Sequence, residues 1–179
     1  MNAKFNELAR LGAGEFEHID GNLIQHLEGT CDLLKSWSAS EVLQDAGLYH
    51  AAYGTAGYDE KLVSLMQRDE ISKIIGHEAE ELVYEYCACD REFFWPKIGV
   101  ENDLIFKNRF TGKTYKLDQH LLNSFCELTV ANELEIAIDN PDFIQQYGSS
   151  LQKVFVNMKS HLSFQANNMV SKILGDCNI

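Results

Sequence analysis

Two prolines, Pro96 and Pro141, are all that 179 residues contain. Proline removes a backbone donor and breaks helix interiors, so its scarcity leaves long stretches in which a helix can run. Apolar residues fill those stretches at helical spacing. From Asp20, read as an N-cap, Leu23, Leu27, Thr30, Leu33, Leu34 and Trp37 mark one side of a helix reaching about Trp37. Ser38-Ala39-Ser40-Glu41 has the form of a capping box and opens the next helix through Leu43, Ala46, Gly47 and His50. Residues 1–17 carry a short amphipathic pattern that predicts an N-terminal helix or arm, and Tyr53–Tyr58, with two glycines, reads as a loop. Helices are predicted near 59–67, from about Asp69 to Ile75 and from Gly76 to about Asp90. Two alternating runs around Thr111-Gly112 predict one small hairpin near 104–117. Asp118 caps a long helix to about Asp139, Asn140-Pro141 marks a break, and a last helix runs from about Ser149 to Leu174. The expectation is an all-α single domain over 1–179.

With 27 acidic against 15 basic side chains the formal net charge is −12, and the isoelectric point lies near 4.8. Such a balance repels phosphate backbones and anionic lipid, which argues against nucleic-acid and membrane partners. A local pocket can still oppose the global field and hold a small anionic molecule. Lys107, Arg109, Lys113 and Lys116 gather on the hairpin, either as a solvated surface or as the counter-charge for such a ligand. No run approaches the ~20 apolar residues of a membrane span, and the N-terminus lacks a signal peptide's apolar stretch. The five cysteines, Cys31, Cys87, Cys89, Cys126 and Cys177, are odd in number and scattered without a CxxC pair. Neither a disulfide framework nor a zinc ribbon follows, and a reduced, cytoplasmic protein is expected. Gly12-Ala13-Gly14 follows no strand and lacks a third glycine, so it is no dinucleotide fingerprint.

Three polar residues fall on helix faces that should point inward. His26 lies 4, 7 and 11 residues before Thr30, Leu33 and Trp37; His50 shares its side with Leu43 and Ala46; Asp90 lies 4, 7 and 11 residues after Tyr86, Val83 and Ala79. A buried carboxylate is costly unless paired or bound to a cation. Two imidazoles and one carboxylate on three helices are the parts of a metal site. The plainer reading stands beside it: core histidines bonded to carbonyls, and an Asp90 that pairs with Arg91 or caps a helix. His77 should lie outside the triad, and His18, His120 and His161 read as surface or cap residues.

The histidine in a first helix, the helix ending in Ala46-Gly47-Leu48-Tyr49-His50 and the distal Asp90 resemble the HD superfamily of helical metal-dependent phosphohydrolases. The ordered strings HLEGT at 26–30, AGLYHAAYGT at 46–55, CDR at 89–91, NRFTGK at 108–113 and ANELE at 131–135 are similar to an uncharacterised family of small HD-like proteins. The resemblance implies an HD-domain-like bundle with its core at 20–140 and a C-terminal helix, 141–179, packing on it. It implies His26, His50 and Asp90 as ligands of one divalent ion (Zn, Mn or Fe), and Ala51 stands where the superfamily has a further aspartate ligand.

What this implies functionally is a phosphoric ester hydrolase acting on a nucleotide or other small phosphoester. Asp90, Arg91 and Tyr53 would be catalytic, and Thr55 and Arg109 would contact substrate. Two alternatives are a non-haem iron oxygenase and a degenerate HD domain that binds a small molecule or partner without catalysis. Phe155, Met158, Leu162, Met169 and Ile173 near one side of the last helix would pack inward or form a homodimer seam.

Overall fold

The computed structural model describes residues 3–11, 17–18, 21–58 and 60–175, and among these it has nine α-helices and two short antiparallel strand pairs. The mostly helical expectation therefore holds. The chain forms two compact units, Met1–Cys89 and Asp90–Ile179.

In the first unit α1 (Ala3–Arg10) precedes the strand pair β1 (Glu17–His18) and β2 (Gly21–Asn22), which the sequence did not suggest. The predicted cap Asp20 and the Gly12-Ala13-Gly14 run lie outside the described residues. α2 (Leu23–Ser36) buries Leu23, His26, Leu27, Thr30, Leu33 and Leu34, the stripe expected from its spacing. α3 (Glu41–Tyr49) starts two residues later than the box implied. Ser40, and not Ser38, accepts the Leu43 N–H at 3.3 Å. Ser38 instead turns the chain with φ of 60°, a left-handed conformation that a non-glycine residue seldom adopts. α1 is tied down by Lys4, whose ammonium meets Asp45 at 2.5 Å while its carbonyl accepts the Tyr49 hydroxyl at 2.7 Å.

The helix expected near 59–67 is a single 3-10 turn at Leu65–Gln67, held by a Ser64–Gln67 capping box. α4 (Arg68–Ile75) and α5 (His77–Ala88) follow, split by Gly76 at φ 87°. α2 packs on α3, and α3 and α4 pack on α5. The α2–α3 approach is close at Gly47, where an added Cβ would lie 2.6 Å from Leu34 Cδ1.

The second unit opens with a short α6 (Arg91–Phe94) and the hairpin β3 (Phe106–Lys107) and β4 (Thr114–Tyr115), inside the predicted 104–117. Asn108 shapes its turn by accepting the N–H groups of Phe110 and Thr111, each at 3.0 Å. α7 (Gln119–Ile138), capped by Asp118 as expected, is buried along most of its length. Its Phe125 meets Phe94 and Phe106 edge-to-face at 5.5 and 6.2 Å.

The expected last helix, 149–174, is two. Asn140-Pro141 does not merely interrupt: Asn140 caps α8 (Pro141–Met158), whose first position suits a residue without an N–H. Ser163 then caps α9 (Phe164–Leu174). Both pack on α7, and Phe155 and Met158 are buried there.

Candidate functional site

Helical spacing on α2 and the end of α3 carries His26 and His50 into the interior of the first unit, where they are 5 % and 2 % exposed. Their rings meet edge-to-face with centroids 5.1 Å apart, and the two Nε2 atoms are separated by 3.2 Å. His50 Nδ1 lies 2.7 Å from the Gly47 carbonyl. A carbonyl oxygen can only accept, so Nδ1 carries the proton and Nε2 is the basic nitrogen that faces His26. A backbone carbonyl on the far nitrogen is also the usual way a ligating histidine is oriented. The Tyr86 and His50 rings meet edge-to-face with centroids 5.6 Å apart, and the Cys87 thiol donates to the His50 carbonyl at 3.1 Å.

A separation of 3.2 Å satisfies an N–H···N hydrogen bond. It also equals, within a few tenths of an ångström, the spacing of about 3.3 Å between two nitrogens on one tetrahedral ion at ordinary zinc–nitrogen distances. The pair thus fits a shared proton and a shared metal ion, and both nitrogens are of a type that borderline divalent metals take. Among the described residues no group of three or more His, Cys, Asp or Glu side chains gathers as a metal shell would.

Asp90, the third expected ligand, is the first residue of the second unit. It caps α6 by accepting the Phe93 N–H at 3.2 Å, and its other oxygen meets Lys107 Nζ at 2.7 Å. The Lys107 ammonium, helped by the Phe93 N–H, holds its carboxyl below the usual carboxylate range. Arg91 pairs with Glu133 at 3.3 Å and lies over the Trp95 ring at 4.8 Å. Arg109 rests over Phe110 at 4.7 Å. The hairpin cations are thus partly neutralised: Lys107 meets Asp90 and Lys116 meets Asp103.

Tyr53 and Thr55 lie just beyond His50 and are buried. The Tyr53 hydroxyl donates to Glu80 at 2.8 Å, and Arg68 grips the same carboxylate with Nε at 2.6 Å and Nη2 at 2.8 Å. Burial and Glu80 together push the Tyr53 phenol far above its ordinary range. Thr55 is held by a backbone bridge to Tyr58. Ala51 is 3 % exposed. His77 is exposed at the head of α5, and burial pushes the Cys31 thiol up to about 11, which makes it a poor nucleophile.

The sequence reading missed the Tyr53–Glu80–Arg68 network. The signal was present, since Glu80 lies 3 and 7 residues before Val83 and Cys87 on the buried side of α5. An acidic neighbourhood, Glu78, Glu80 and Glu81, made it resemble a solvated face.

Residues 7–91, just short of half the chain, match the model of a family described as a domain of unknown function (DUF6817). The matching stretch takes in both histidines, Ala51, the Tyr53–Glu80–Arg68 network and the Asp90-Arg91 pair, and it stops before the hairpin. No curated protein and no solved structure matches the chain.

Proposed function

We propose that the chain is an HD-like domain that holds one divalent ion on His26 Nε2 and His50 Nε2 and acts on a small phosphoester. The observation that supports this reading is the buried, oriented imidazole pair at metal-compatible spacing. A bound Zn, Mn or Fe ion there would supply an acidified water and polarise a phosphoryl oxygen. The chain's own part is to hold His50 in one tautomer through Gly47 and to keep both rings dry. By resemblance Asp90 is the third ligand, and in that role its carboxylate must be shared with, or released from, Lys107.

A second reading is a degenerate HD domain that binds without catalysis. It is favoured by the commitments of the other expected catalytic groups: Asp90 to Lys107 and a helix cap, Tyr53 to Glu80. Elemental analysis of protein purified without chelator, together with turnover of nucleotide and aryl phosphates, separates the two. About one equivalent of zinc or manganese, lost in His50→Ala along with hydrolysis, supports the hydrolase. Iron would favour an oxygenase. Absence of metal, with no stabilisation by added Zn²⁺ or Mn²⁺, would overturn the metal reading and leave the binding domain.

A further inference from the structure

The second unit contains a cavity of about 340 Å³ beside the start of α7. That is within the size range of small-molecule sites. The apolar part of its lining includes the exposed Val100 and the half-buried Leu104 and Leu117, with Phe94 and Leu122 buried at its edge. Its polar part includes Glu101, Gln119, His161 and the ion pair of Lys116 with Asp103.

These polar groups are tuned to accept. Two atoms approach His161 Nδ1, Asn123 Oδ1 at 2.9 Å and Gln119 Nε2 at 3.2 Å. Because the closer one, an amide oxygen, only accepts and the Gln119 N–H is already given to that oxygen, the ring proton sits on Nδ1 and Nε2 is the acceptor. Gln119 gives its amide N–H to the same Asn123 oxygen at 2.7 Å, which leaves its own oxygen to receive a donor. Burial holds His161 below the ordinary histidine range, so the ring is neutral near pH 7. Lys116 is matched by Asp103, whereas Glu101 enters none of the ion pairs found among the described residues. With the imidazole neutral, the lining is left with one uncompensated negative charge. The N-terminus of α7 would favour an anion, but Asp118 already accepts the Leu121 N–H at 2.9 Å and places a carboxylate there.

We propose that this cavity binds a small organic cation with an apolar body, an arylalkylamine in type, its ammonium directed to Glu101 and His161 and its body against Leu104 and Leu117. The chain's net charge of −12 would concentrate such cations near the surface.

Phenethylamine is the probe and phenylacetate its anionic counterpart, titrated into the full chain while the His161 ring and Gln119 amide signals are followed by NMR. Saturable shifts at both residues are expected with phenethylamine and none with phenylacetate. Glu101→Gln should weaken phenethylamine about three- to fivefold, the worth of one exposed charge pair. Glu101 is exposed, so the rest of the spectrum should be unchanged. Shifts that fail to saturate, phenylacetate binding as tightly as phenethylamine, or an affinity unaltered in Glu101→Gln would each overturn the proposal.

Discussion

A methyl group occupies position 51, buried one residue past His50. Placing a carboxylate there gives opposite outcomes under the two functional readings. If a divalent ion sits on the histidine pair, Ala51→Asp adds a charged oxygen beside a cation, so affinity for Mn²⁺ should rise with little loss of stability. In a domain without metal the same change buries an unpaired charge and should cost several kcal/mol, about 3 or more. Thermal unfolding of both proteins with and without Mn²⁺ decides it, and destabilisation that metal does not rescue excludes a vacant ligand position. Asp90 offers a second residue-level test, on pH. Its folded-state pKa is depressed by Lys107, so its stabilisation is fully present above the unfolded value of about 3.9 and is lost as pH falls through the folded value. Lys107→Met should therefore cost stability at neutral pH, by less than about 1 kcal/mol because Lys107 is 39 % exposed. The difference from wild type should shrink progressively below about pH 4. A gap in urea midpoint that is independent of pH would rule out this assignment.

Gly47 carries two jobs at once for the helices α2 and α3. Its missing Cβ lets Leu34 approach, and its carbonyl fixes the His50 ring. Gly47→Ala gains about 1 kcal/mol of helix propensity, but the crowded contact costs about 1–3 kcal/mol. A net loss of about 1 kcal/mol is expected in thermal unfolding, and stabilisation would show that the contact yields easily. This local balance also explains what the sequence could and could not convey. The stripes on α2 and α5 and the Asp118 cap are short-range, so periodicity and capping chemistry expose them directly. The inward placement of His26 and His50 followed from the same periodicity, and so did their meeting once two helices were assumed to pack. The division at 159–163 was hidden because Met158, Leu162 and Met169 keep a helical rhythm across it. Ser38 and Ser40 compete for one capping role, and only backbone geometry selects between them. The Glu80 network was obscured because a charge in an acidic run gives no sign of its partner when that partner, Arg68, lies on another helix.

Charge divides unevenly over the whole molecule. Residues 1–89 carry 16 acidic and 6 basic side chains, a net of −10, whereas 90–179 carry 11 and 9, a net of −2. Self-repulsion should therefore weaken the first unit more, and screening should relieve it there. Raising NaCl from 20 to 300 mM is expected to slow amide exchange in α2, α3 and α5 more than in α7 and α8, by mass spectrometry. An equal change in both units would sink this account. The division at residue 89 also sets an order in time. A ribosome adding about 5–20 residues each second needs roughly 5–18 s for the ninety residues after Cys89, and domains fold as units from the N-terminus during synthesis. Because both imidazoles come from the earlier-made half, they can be joined before the last helices of the chain, α8 and α9, have left the ribosome.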